Sequence, residues 1–198
     1  MKSLLTRIRL TFALGASVLA FNSLSATTID TNAGWDGSTN AGWLGSGQTI
    51  TVPTWDTFFE NLTVYADTAA AGQVFTFTIF DALNGGSVLF NGGGLLIAAG
   101  ANTITINQAF AADSLIFAQF DYNGYSGSSL QFSYNDTYAG GNSTFGPVGS
   151  QENWPALDHR FIANFSGGSN AVSEGGATLA LFGLGLLGLA GLRRRFAR

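Results

Sequence analysis

The chain has 198 residues and no cysteine, with 8 Lys and Arg against 12 Asp and Glu for a net charge of −4. Thiol chemistry, disulfide bracing and cysteine-ligated metals are therefore excluded. The charges are also segregated: between Thr27 and Asn170, Arg160 is the lone base against eleven carboxylates, a balance of about −10 that repels phosphate backbones and excludes nucleic acid as a partner.

In chain order, Lys2, Arg7 and Arg9 form a positive opening segment, and Leu10 to Leu24 is mostly apolar and of signal-peptide length. Small residues Ser23, Ser25 and Ala26 supply a cleavage site, with Ser25 or Ala26 the last residue removed. Residues 1–26 are read as a signal peptide, which implies the Sec translocon and signal peptidase as partners. The body that follows, 27–166, is long enough for one domain with a sizeable core.

Glycine, serine and asparagine clusters divide this body into short apolar runs of two-residue alternation. Gln48–Val52 and Leu62–Ala66 are predicted strands, and Ala66–Gly72 has room for a single helical turn. Val74–Asp81 is the clearest strand, with Phe75, Phe77 and Ile79 on one face and Thr76 and Thr78 on the other. Ser87–Phe90 and Leu95–Ala98 are predicted as two strands separated by a turn at Asn91-Gly-Gly-Gly94. Thr103–Ile106, Leu115–Tyr122, Leu130–Tyr134 and Arg160–Phe165 complete the set. Many short strands without a sustained helical period predict an all-β, antiparallel β-sandwich or jelly-roll ectodomain.

Residues 167–173, opening with Gly167-Gly-Ser-Asn170, read as a flexible linker. Residues 174–198 follow as one unit. Glu174 precedes an uncharged run, Gly175 to Leu192, and Arg193, Arg194, Arg195 and Arg198 close the chain. As a helix the run is roughly 27 Å long, close to a hydrocarbon core of about 30 Å. Each Arg costs about 2.5–3.5 kcal/mol at the membrane centre, so the cluster stops transfer and stays cytoplasmic. A single C-terminal transmembrane helix over 175–192 is expected, with the body outside.

Signal peptide, Gly/Ser/Asn-rich body, and a tail of acidic motif, short Leu/Gly/Ala helix and arginine cluster together resemble the PEP-CTERM class of bacterial envelope proteins. Thr178–Arg195 is very close to the family pattern. The sorting motif differs: Val172-Ser173-Glu174-Gly175 stands where the family has Val-Pro-Glu-Pro or Val-Pro-Asp-Ser-Gly. The resemblance implies an exosortase-type membrane protease or transpeptidase as partner. It also implies an inner-membrane intermediate, then transfer to the cell envelope, outer surface or extracellular matrix. Asp136-Thr-Tyr-Ala-Gly-Gly141, then Trp154, then Asp158–Phe165 are similar to the C-terminal part of small jelly-roll ectodomains found on such proteins.

Three kinds of site are weighed in the body. For catalysis, His159 is the lone histidine, and Gly124-Tyr-Ser-Gly127 lacks the second glycine of a nucleophile elbow, so a turn is the better reading. Glu60, Glu152 and Asp158 are available carboxylates, but nothing in the sequence pairs them as glycoside hydrolysis requires. No cofactor is implied, and a calcium ion is the one metal candidate, with Asp30, Asn32 and Asp36 spaced as oxygen ligands in a loop. Trp35, Trp43, Trp55 and Trp154, with Tyr125 and Tyr138, lie in or near predicted loops, where flat rings can stack on sugars. The expectation is a non-enzymatic, exported matrix protein, structural or adhesive within exopolysaccharide or biofilm. The alternatives are a polysaccharide-acting enzyme and an unprocessed single-pass surface protein.

Overall fold

A computed structural model describes residues 26–84 and 86–167. Most of the signal segment, the sorting motif, the proposed membrane helix and the arginine cluster lie outside the described residues. Among the described residues no helix is long and apolar enough to cross a membrane.

The described chain is all-β. Its strands are β1 (Ala26–Asp30), β2 (Gly45–Thr51), β3 (Phe58–Ala66), β4 (Val74–Phe80), β5 (Val88–Leu96) and β6 (Gly100–Ala109). They are followed by β7 (Leu115–Asp121), β8 (Phe132–Ser133), β9 (Ser143–Phe145), β10 (Glu152–Trp154), β11 (Asp158–His159) and β12 (Phe161–Ser166). A four-stranded sheet runs β1-β12-β3-β6, a six-stranded sheet runs β10-β9-β2-β7-β4-β5, and β11 pairs with β8. Every pairing is antiparallel.

Alternation explains the core. Phe75, Phe77 and Ile79 of β4 are fully buried, while Thr76 and Thr78 face outward, as the sequence predicts. Register sets Ile79 opposite Ala118 and Phe77 opposite Phe120, so β7 and β4 bury the same face. From the other sheet come Phe59, Leu62, Val64, Ala163 and Phe165, all in the same cluster. Phe59 stacks on Phe165 with ring centroids 4.3 Å apart. Each such ring contributes about 1.5–3 kcal/mol by leaving water, which serves a chain without disulfides.

Two expectations are corrected. The stretch Asn91–Gly94 is no turn: β5 runs unbroken from Val88 to Leu96 against β4. Two register shifts absorb the extra residues, and Gly93 takes a left-handed φ of 69°. A Cβ on Gly92 would stand 2.8 Å from Cδ1 of Phe77, so these glycines let the strand close over a core ring instead of reversing it. The predicted strand Leu130–Tyr134 shrinks to the two residues of β8, with flanking single bridges from Leu130 and Gln131. The predicted turn after Ala66 is present as one 3-10 turn, Thr68–Ala70, capped by the Asp67 carboxylate, which accepts from Ala69 N at 2.9 Å.

Candidate functional site

Two clusters meet where β9 joins the edge of the six-stranded sheet. Ser46 lies opposite Phe145 and Gln48 opposite Ser143, so these four side chains share the core-facing side of β2 and β9. Trp154 of β10 pairs with Ser143 and shares that side too. Here β8 and the segment 39–43 cover the sheet, forming a satellite cluster of Phe132, Phe145 and Leu157 with Trp43 against it.

The first cluster is polar and sealed. Ser46 and Ser143 are fully buried, and His159 is only 3 % exposed. His159 Nε2 lies 2.8 Å from Ser46 Oγ and Nδ1 lies 2.8 Å from Ser143 Oγ. Ser143 donates its proton to Gln48 Oε1 at 3.3 Å, so it accepts from the imidazole, and Nδ1 carries the ring hydrogen. Nε2 is then the acceptor, Ser46 donates to it, and Ser46 in turn accepts from the Tyr122 hydroxyl. The relay closes at both ends: Asn40 Nδ2 donates to Tyr122 at 3.0 Å, and Gln48 Nε2 donates to Asp158 Oδ1 at 2.8 Å.

Burial drives the electrostatics. It pushes the His159 imidazole down to about 3, so the ring is neutral at neutral pH. It also pushes the Tyr122 hydroxyl up. Asp158 is raised by burial, against the opposing pull of hydrogen bonds from Tyr138 N, Gln48 and Thr137 N.

A serine donating to a histidine invites comparison with acyl transfer, but the arrangement lacks its other parts. The second imidazole nitrogen faces Ser143 instead of a carboxylate, and no part of the pair is open to a substrate. Buried on Ser46, Gln48 and Ser143, His159 is a structural crosslink between β2, β9 and β11. Glu60 lies on the four-stranded sheet, Glu152 on the edge of the six-stranded one, and Asp158 is buried on backbone N–H groups. The fold assigns them to separate settings.

The second cluster is aromatic and open. A cleft of about 190 Å³ is lined by Trp43, Phe132, Tyr134, Phe145 and Trp154, with Thr39 and Asn40 contributing polar groups. Trp43 and Trp154 meet edge to face at 6.4 Å, and each is 5.8 Å from the Phe145 ring. Trp154 is 40 % exposed and Tyr134 65 % exposed, so the rim is wet while Phe145 and Phe132 form the floor.

Of the four tryptophans read as sugar-stacking candidates, two converge here. Trp35 is occupied elsewhere: Arg160 lies over its ring at 4.3 Å and over Tyr65 at 4.0 Å. Trp55 is isolated and 84 % exposed. Tyr125 and Tyr138 pack against the main core, their hydroxyls bonded to backbone carbonyls of Ala69 and Thr51. Phe132, Phe145, Tyr134 and Asn40 were not among the candidates. Phe145 is flagged in sequence only by its place in Ser143-Thr-Phe-Gly-Pro147, an apolar ring between a short polar run and a turn.

The calcium candidates are not brought together as ligands. Asp30 Oδ1 accepts from Asn32 N at 2.8 Å, closing a local turn. Asn32 Oδ1 accepts from Arg160 Nε at 2.8 Å, which sets a cation against the oxygen expected as a ligand. Desolvation raises the Asp36 carboxyl, but its hydrogen bonds from Tyr134 N and Ser38 together outweigh it and hold the group below the ordinary value. Among the described residues no three His, Cys, Asp or Glu side chains form a metal-binding group. Comparison with known proteins adds nothing to this geometry: no family model matches the chain, and no curated protein or solved structure does.

Proposed function

We propose that this protein is an exported, non-enzymatic envelope or matrix component of the PEP-CTERM kind, whose jelly-roll body holds a sugar ring of an exopolysaccharide in the Trp43–Trp154 cleft. The observation that carries the binding half is the convergence of two tryptophans, two phenylalanines and a tyrosine on one partly open cleft beside Asn40 and Thr39. Flat apolar faces with neighbouring hydrogen-bonding groups suit a pyranose. The cleft is smaller than the roughly 300–1,000 Å³ of drug-sized sites, which favours a single ring of a polymer. A body with one base and eleven carboxylates favours a neutral glycan over a polyanion.

The tail supports the address. Gly175–Leu192 followed by Arg193, Arg194, Arg195 and Arg198 makes a membrane intermediate, and an exosortase-type enzyme then cuts near Glu174. Because both motif prolines are missing, the unprocessed single-pass protein is kept as the second reading. The test has two arms. The mature protein is applied to a glycan array alongside Trp154→Ala; retention of a neutral glycan by the first and not the second supports the cleft, and no retention by either removes it. Mass spectrometry of cell-derived protein decides the tail, where an intact Arg198 establishes the unprocessed anchor.

A further inference from the structure

The four-stranded sheet has one end where three chain segments coincide. Ala26 at the start of β1 lies opposite Ser166 at the end of β12, and Ser166 lies opposite Phe58 at the start of β3. Asp56, two residues before β3, closes this end. It is 2 % exposed, which for a carboxylate demands a partner. One oxygen has one: Oδ2 accepts from Thr27 Oγ1 at 2.5 Å. The other, Oδ1, is buried and accepts no hydrogen bond from the described residues. Gly167, where β12 gives way to the linker, is the near neighbour on that side, a Cβ there standing 3.8 Å from Oδ1.

No side-chain cation among the described residues completes this site. The sole lysine is Lys2, and the sole base of the body, Arg160, is held by Asn32, Gln131, Trp35 and Tyr65. The residue bonded to Asp56, however, is the one that follows the signal peptide. We infer that the missing partner is the α-ammonium group of the mature chain, created by signal-peptide removal, so that maturation installs a buried ion pair between Thr27 and Asp56. The inference rests on the export reading above. Hydrolysis of the Ala26–Thr27 amide adds one water, leaving a carboxylate on Ala26 and an ammonium on Thr27. The Thr27 nitrogen is three bonds from Oγ1, about 3–4 Å away by covalent geometry, and Oγ1 is 2.5 Å from Oδ2, so nitrogen and carboxylate are at most about 6–7 Å apart. An ammonium brings three donors where the peptide N–H had one, enough to keep a strand bond and reach Asp56. The precursor cannot form this pair, since its nitrogen there is an uncharged amide. Removal of Ser25 as the last residue would set the ammonium one position earlier on the same strand, opposite Ser166.

The mature chain contains no lysine, so its α-amine is the one amine that amine-selective reagents find. Full-length protein processed in cells is isolated and its first residue read by mass spectrometry. The protein is uniformly ¹³C-labelled, which leaves all three ammonium donors in place, and the Cα shift of its first residue is followed by NMR across pH. A free α-amine titrates at about 7.7–8.0; a midpoint raised by about one unit or more, and restored by Asp56→Asn, is the expected result. N-acetylation of the wild-type protein, which removes the charge without touching Asp56, should lower its melting midpoint. A first residue at Thr27 or Ala26 with an ordinary midpoint, unmoved by Asp56→Asn, overturns the ion pair and leaves the export reading standing. A first residue elsewhere in the mature chain overturns the ion pair alone, and an N-terminus still carrying Lys2 overturns both.

Discussion

Phe145 stands between two clusters that differ in almost every property. Its ring centroid is 5.5 Å from His159 on one side and 5.8 Å from Trp43 and Trp154 on the other. On the His159 side, serine, histidine, tyrosine and glutamine form a closed relay from which water is excluded. On the tryptophan side, apolar rings stand half in solvent. The usual assignment of polar residues to the surface and rings to the core is inverted over one side chain's width. A polar group inside is stable because each donor has an acceptor. Rings left outside have no such compensation, and an exposed apolar cleft is the ordinary mark of a surface that receives a partner.

The two halves should respond differently to perturbation, and the largest contrast is in acid. His159 titrates near 3 in the folded protein against 6.5 when unfolded. The unfolded chain therefore binds the extra proton in that window, and stability falls as pH drops from about 6.5 to about 3, by about 1.4 kcal/mol per unit and about 5 kcal/mol in all. Asp158, whose carboxyl is raised from 3.8, acts with opposite sign just above that value, where stability falls as pH rises. Urea midpoints across pH should show the His159 slope, and His159→Gln should flatten it. A profile as steep in the variant as in the wild type would refute the buried neutral imidazole.

Next in size is Phe145→Ala, which removes the ring shared by both clusters. A loss of about 3–5 kcal/mol in denaturant unfolding is expected, together with loss of any glycan retention. Trp154→Ala separates function from fold: its ring is at the wet rim, so unfolding should change by no more than about 1 kcal/mol while binding disappears. Equal losses in both readouts would mean that the cleft is only a satellite core. Trp55→Ala, at the isolated exposed ring, should alter stability by less than about 0.5 kcal/mol and leave binding intact. The smallest expected effect is that of calcium: with the Asn32 oxygen held by Arg160, melting curves with calcium and with a chelator should superimpose.

Much of the sheet structure was legible because burial on one face imposes a period of two. β4 is the clearest instance, where Phe75, Phe77 and Ile79 alternate with Thr76 and Thr78. The reading failed where glycine has two uses. Asn91–Gly94 carries turn chemistry, but the absence of side chains there admits the Phe77 ring, and a bulged strand results. Strands of two or three residues, β9 to β11, contain too few alternations to be seen, and β8 was read too long. Within the candidate site, the tryptophans were visible as residue types. Which two converge was not, because Trp43 and Trp154 are brought together through β2, β9 and β10, segments distant in the chain.

Taken alone, the residues determined the all-β character of the body, its acidic and lysine-free charge, and the absence of any thiol chemistry, since these follow from composition and from nearest-neighbour alternation. Tertiary structure alone decided that His159 is sealed between two serines, that Trp35 belongs to Arg160 and not to a cleft, and that Asp56 meets the first residues of β1. The reason is that desolvation and ring contacts depend on which strands become neighbours. In an antiparallel fold that pairing joins positions more than a hundred residues apart, such as Thr27 and Phe165.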